Sequence, residues 1–239
     1  NLVISSSSAY AHGIITNSNT TNICYCNSPM RYAWDWYHEY QQEQQLGPLK
    51  KFLVRYFLHK VRIWDQIAGQ RPDYYIANSK TVQKRIKKYY RLPSQVIYPP
   101  VDVNKFTVTS RHEDYYLIVS TLSPYKRIDL AVSLFSKIGK KLLIIGDGEQ
   151  KPYLQSIAGK NIDFLGFKDN NIVVEYLQNC CALIFPGEED FGIAPIEAMA
   201  CGKPVLGFGK GGLSETVIPG KTGEFFYEPT VEALEDGLA

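Results

Sequence analysis

The sequence predicts an α/β protein with parallel sheets in two domains, and three observations carry that expectation. After residue 110, short apolar runs alternate with segments whose apolar residues repeat every three to four positions. Strict strand–helix alternation implies right-handed βαβ units, with helices covering a parallel sheet. Apolar residues make up 45% of the 239-residue chain and charged residues 21%, enough for a packed core and too little charge for a disordered chain. The net charge of +2 conceals a split: residues 1–110 carry 14 Lys and Arg against 6 Asp and Glu, and residues 111–239 carry 12 against 18. Such an asymmetry suggests two domains with different partners.

In chain order, residues 1–7, 23–26, 73–77 and 95–98 read as strands, and 32–45, 49–66 and 80–89 as helices. Pro99-Pro100 removes two backbone donors and fixes two φ angles, which suits a strand end leading into a linker. We expect domains over 1–106 (basic) and 107–239 (acidic). In the second, residues 115–121, 141–145, 163–166, 182–185 and 204–208 read as strands, and 128–138, 150–158, 171–178 and 195–201 as helices. The chain opens directly as a strand, and residues 231–239 stop inside a helix pattern without a cap. The expectation is therefore a fragment, with the first domain truncated at its N-terminus and a C-terminal tail missing.

Several classes are disfavoured. Cys24, Cys26, Cys180, Cys181 and Cys201 lack the paired C-x-x-C spacing of a zinc site and read as core thiols in a reducing compartment. No apolar run approaches the ~18 residues of a membrane span, and no signal segment opens the chain, so a cytoplasmic location is expected. Residues 47–64 hold five bases (Lys50, Lys51, Arg55, Lys60, Arg62) and no acid, on a helical repeat of apolar residues. A basic amphipathic helix over 49–64 can lie on an anionic membrane at the inner face of the plasma membrane. The commoner arrangement buries the apolar stripe in the core and leaves the charges in water. No RNA-type or finger signature supports nucleic acid as a partner.

In a parallel sheet, ligands bind at loops beyond the carboxyl ends of the strands. The densest such constellation is the run from Pro186 to Pro204, where Glu188, Glu189 and Asp190 follow a strand, Gly192 leads to a helix expected to begin at Pro195, and Glu197 lies near its start. Glu189 and Glu197 can then face one crevice beside free helix-start amides, although clustered acids are also what a solvated loop carries. A second candidate, Leu122-Ser-Pro-Tyr-Lys126-Arg127, sets two cations at a helix start, suited to a diphosphate or simply a surface pair. A third, Gly207–Gly212, reads formally as G-x-G-x-x-G, but it lies late in the chain and precedes only a short turn-like helix. Glycine for close backbone approach is the better reading there, with a nicotinamide-dependent enzyme as the minor alternative.

Taken together, these residues resemble the family 4 retaining glycosyltransferases. The carriers are Glu189-x7-Glu197 followed by Ala-Met-Ala-Cys-Gly-Lys-Pro, Pro124-Tyr-Lys-Arg-Ile-Asp129, Ile145-Gly-Asp-Gly-Glu149, Gly209-Lys-Gly-Gly212 with Glu215, and Thr222-Gly223. In the first half, Cys24 to Asp35, Ala77-Asn-Ser79 and Tyr98-Pro-Pro-Val-Asp102 resemble the bacterial mannosyltransferases that build O-antigen and related polysaccharides.

The resemblance implies two Rossmann-like domains facing across a cleft (the GT-B type) and transfer of a hexose, mannose favoured, from a nucleotide-diphosphate sugar to a lipid-linked saccharide. It implies GDP-mannose as donor, no cofactor and no metal; the chain has no Asp-x-Asp pair of the metal-dependent transferases. Lys126 is implied to contact the diphosphate. Glu189 and the amides of Phe191, Gly192, Ile193 and Ala194 would hold the donor sugar, Glu197 the ribose, and Phe167 would border the base. Asn27 and Arg31 fall on the acceptor side.

Three positions depart from the family pattern. Thr121 lies where an Arg is usual, leaving Arg127 as the substitute cation; Asn27 replaces a His; and Ser8 stands where another His is usual, with His12 nearby. These departures keep open a second reading, a catalytically silent homologue that binds sugar nucleotide or glycan.

Overall fold

The computed structural model describes residues 1–37, 47–109 and 113–238. The chain divides into two compact units, Asn1–Pro99 and Pro100–Ala239, with the division between the two prolines. The expected helix over 32–45 lies mostly outside the described residues; its start is a short 3-10 turn, Arg31–Ala33.

In the first unit, β1 (Leu2–Ser7), β2 (Thr21–Cys26), β3 (Tyr74–Ala77) and β4 (Gln95–Val96) form a four-stranded sheet in that order. All pairs are parallel, with Ile4 opposite Ile23 and Ile23 opposite Tyr74. Between strands come α1 (Pro48–Ala68) and α2 (Lys80–Tyr89). Ser79 sets the start of α2, its Oγ accepting from the Val82 amide at 3.1 Å as a side-chain cap. Cys24, Cys26, Tyr75, Ala77, Val82, Ile86 and Tyr90 form the core. All five cysteines are free thiols, and all but Cys181 are buried.

The second unit alternates β5 (Tyr116–Val119), α3 (Ile128–Ile138), β6 (Leu142–Ile145), α4 (Lys151–Ile157), β7 (Ile162–Gly166), α5 (Asn170–Asn179), β8 (Leu183–Phe185), α6 (Ile193–Ala200), β9 (Val205–Phe208), β10 (Gly223–Phe226) and α7 (Val231–Leu238). Its six strands are all parallel, in the order β10-β9-β8-β5-β6-β7. The sixth, β10, goes beyond the five strands legible in the sequence. It is a four-residue edge strand that opens on Gly223-Glu224, so only Phe225 and Phe226 are apolar and no apolar run announces it.

Apolar strands of this kind are buried on both faces. Ile118, Ile144, Ile184 and Leu206 point into one cluster with Phe135 of α3, Leu154 of α4 and Leu234 of α7. Their chain neighbours Leu117, Leu143, Leu183 and Val205 point into another with Leu177 of α5 and Ala198 of α6. The two-residue side-chain period of a strand produces this division.

Candidate functional site

The strand order of the second unit fixes where its ligand site belongs. Connections from β5 run outward through β6 and β7, whereas those from β8 run the other way through β9 and β10. The loops beyond the carboxyl ends of β5 and β8 therefore part company at a topological switch point, the crevice that such sheets use for ligands.

After β5 the chain passes Ser120 and the exposed Thr121 and forms a 3-10 turn, Pro124–Lys126. Arg127 adopts a left-handed conformation (φ 50°, ψ 36°) and caps α3, an uncommon state for a non-glycine residue. After β8 come Pro186 and Gly187. A Cβ on Gly187 would fall 2.7–2.9 Å from the Lys126 backbone, so only glycine lets the two loops meet this closely. The result is an ion pair between Lys126 Nζ and Glu189 Oε1, with the side chains 15% and 18% exposed. Lys126 Nζ also lies 5.1 Å from the centre of the Tyr125 ring. Arg127 is occupied otherwise: Nε and Nη2 each donate to the Asp129 carboxylate at 3.1 Å.

The glycine run after β9 holds the other side of the acidic loop. Gly211 bridges Glu189, and the Gly212 amide donates to the Glu189 carbonyl at 2.7 Å. A Cβ on Gly211 would meet that carbonyl oxygen at 2.2 Å. The run leads only into the 3-10 turn Gly212–Glu215, so these glycines serve close backbone approach, and the dinucleotide fingerprint lacks the helix it needs.

The helix of the constellation starts earlier than expected. Gly192 (φ 89°) caps it, Ile193 is its first residue, and Pro195 is its third. Proline is tolerated there because first-turn amides have no intrahelical acceptor. Glu197 is thus the fifth helical residue, a full turn from the start. It lines a cavity of about 480 Å³ with Pro100, Asp102, Lys105, Asn170 and Ile193, among others. Glu189, eight residues earlier in the loop after β8, is held by its ion pair with Lys126. Burial raises the Glu197 carboxyl pKa above its ordinary value. Phe191 is buried, Ala194 is half-buried against the α5–α6 core, and Ile193 is exposed. Phe167, just after β7, is 80% exposed.

In the first unit, Asn27 Nδ2 donates to Ser6 Oγ at 3.0 Å, and the Arg31 guanidinium stacks 4.5 Å over the Trp36 ring. His12 is not available near Ser8, because it is 2% exposed inside a polar network that sequence reasoning missed. His12 Nδ1 lies 3.2 Å from Ser7 Oγ and Nε2 lies 3.3 Å from Asp65 Oδ1, while Asp65 Oδ2 accepts from Trp34 Nε1 (2.7 Å) and Tyr90 OH (3.0 Å). Residues from five segments meet there, so no local pattern announces it. With Ser7, His12 and Asp65 all closed to solvent, this Ser-His-Asp array positions the fold and cannot reach a substrate. Among the described residues, no three His, Cys, Asp or Glu side chains are grouped as ligands for a metal, and no helix is long and apolar enough to cross a membrane.

A six-stranded doubly wound sheet with a lysine–glutamate pair at its switch point places the second unit among the Rossmann-type ligand-binding α/β proteins. The glycosyl transferases group 1 family matches residues 103–239, more than half of the chain, and the protein belongs to that family. An uncharacterized glycosyltransferase of Methanocaldococcus jannaschii is 30% identical over 170 residues, covering 69% of this chain and 48% of the relative. The alpha-1,3/1,6-mannosyltransferase ALG2 of Dictyostelium discoideum is 24% identical over 274 residues, covering 92% of this chain and 60% of the relative. The chain thus spans about half to three-fifths of the length of these relatives. Among solved structures, the sucrose-phosphate synthase of Thermosynechococcus elongatus superposes with a TM-score of 0.79 at 19% identity, covering 99% of this chain and 63% of the other. That likeness concerns the fold, which is of the GT-B type.

Proposed function

We propose that the protein moves a hexose, mannose favoured, from a nucleotide-diphosphate sugar such as GDP-mannose to a lipid-linked saccharide, with retention at the anomeric carbon and without a resident metal. The observation that carries this reading is the Lys126–Glu189 pair at the switch point. Lys126 is assigned to the diphosphate, and Glu189 with the amides of 191–194 to the donor sugar. Glu197 takes the ribose hydroxyls, and Phe167 the edge of the base. Arg127, held by Asp129, takes a lesser part than Lys126. Asn27 and Arg31 are assigned to the acceptor side. The mannosyltransferase name of the Dictyostelium relative supports the choice of sugar.

The chemistry follows from charge. Breaking the bond between the anomeric carbon and the phosphate oxygen leaves positive charge on the ring and negative charge on the departing diphosphate. A cation and helix-start amides aimed at that phosphate stabilise the transition state more than the ground state. On retention, the acceptor oxygen attacks from the face the phosphate leaves, and the freed phosphate oxygen takes the acceptor's proton.

The test is a thermal-shift series with GDP-mannose, GDP and UDP-glucose. A ligand that binds only the folded state adds about 2.7 kcal/mol at a hundred times its Kd, expected to raise Tm by about 5–10 °C for a chain of this size. Lys126→Ala is expected to remove the shift. If no sugar nucleotide moves Tm, or if Lys126→Ala leaves the shift intact, the reading is wrong.

A further inference from the structure

Helix α1 carries its apolar stripe on the outside. Leu58, Asp65 and Ala68 are its buried residues. Leu49, Phe52, Tyr56, Phe57 and Ile67 are 51–72% exposed, and Ile63 is exposed too. At about 100° per residue, these six fall within an arc of about 140° centred roughly opposite Leu58 and Asp65. An isolated exposed leucine means nothing, but a stripe running about 27 Å along one helix is an interaction surface.

The charges around it identify the occupant. Lys50 borders one edge of the stripe, and Arg55 and His59 the other, all exposed. Lys60 lies within it, its Nζ 5.6 Å from the centre of the Tyr56 ring, so its stem can lie on apolar surface while the ammonium reaches outward. From Gly47 to Trp64 there is no acid, and the first unit as a whole has 13 Lys and Arg against 5 Asp and Glu. A ring of bases around an aromatic-rich apolar face matches a surface that is apolar below and anionic at its rim.

We propose that α1 is an in-plane membrane anchor that inserts Leu49, Phe52, Tyr56, Phe57 and Ile67 below the headgroups of an anionic bilayer while Lys50, Arg55 and Lys60 engage the phosphates. The proposal does not depend on the transfer reaction and is read by lipid binding alone. The test is co-sedimentation of the 239-residue chain with phosphatidylcholine vesicles, with and without phosphatidylglycerol, across a salt series. Binding is expected to require the anionic lipid and to weaken with salt. Reversing Lys50, Arg55 and Lys60 to Glu is expected to lower the partition coefficient by about a hundredfold. Phe52→Ser with Phe57→Ser is expected to lower it at least about tenfold with an unchanged circular dichroism spectrum, since both side chains are already in water. The proposal is overturned if the wild-type chain stays in the supernatant at low salt, or if the Phe52/Phe57 variant sediments like wild type. It also fails if that variant converts an oligomer to a monomer without changing lipid binding, which would make the stripe an interface between copies.

Discussion

Replacing Lys126 and Glu189 singly and together tests the centre of the proposed site. Both side chains are mostly buried (15% and 18% exposed). Removing one partner therefore leaves a charge in a poorly hydrated position, without the full penalty of a closed interior. Truncating one member of a fully buried pair costs about 3–5 kcal/mol, and exposed pairs are worth about 0–1 kcal/mol. We expect about 2 kcal/mol for Lys126→Ala or Glu189→Gln, or about 4–8 °C in Tm. The double variant should be no worse than either single, giving a coupling of at least about 2 kcal/mol. Calorimetry reads both units. Fluorescence reads the first, since all three tryptophans (Trp34, Trp36, Trp64) lie there, and its transition is the internal reference. A ligand arm separates the roles. Glu189→Gln frees the ammonium, so GDP affinity should hold or rise while GDP-mannose weakens; Lys126→Ala should weaken both about 10- to 150-fold, the worth of one charged hydrogen bond. Strictly additive losses of stability, or equal affinities in all four proteins, would refute the claim that these two groups form one site.

Three further outcomes follow from the geometry. Glu197→Gln should raise Tm at neutral pH and weaken nucleotide binding. The folded-state pKa of Glu197 is raised by burial, so its favourable term is present below its ordinary value of 4.5 and is lost as pH rises through the folded value; the Tm gain of the Gln variant should vanish below about pH 4. Gly187→Ala should cost about 1–3 kcal/mol and abolish donor binding, because its Cβ would press on the Lys126 backbone at 2.7–2.9 Å. Gly47→Ala, with nothing within 4 Å of the added carbon, is the control expected to shift Tm by less than 2 °C, about 0.5 kcal/mol. Asp65→Ala should destabilise the first unit by about 3–5 kcal/mol in tryptophan-detected urea unfolding, because His12, Trp34 and Tyr90 all lose a buried partner.

The sequence by itself determined the alternating architecture. Runs such as Leu142–Ile145 are apolar at every position because both faces of a parallel strand are covered, and helix α3 has the boundaries that its 3.6-residue pattern announced, Ile128–Ile138. The position of Lys126 and Glu189 after strands was equally legible, because strand ends are local. Their pairing depended on tertiary structure: strand order places β5 beside β8, and Gly187 admits the close approach, a fact about two backbones 61 residues apart. Tertiary structure also enclosed His12 with Asp65, a contact between segments that no periodicity encodes. For α1, the sequence specified an amphipathic helix but not its orientation. Helical spacing shows that one stripe is apolar, and only packing against the rest of the unit decides whether that stripe faces the core or, as here, the outside.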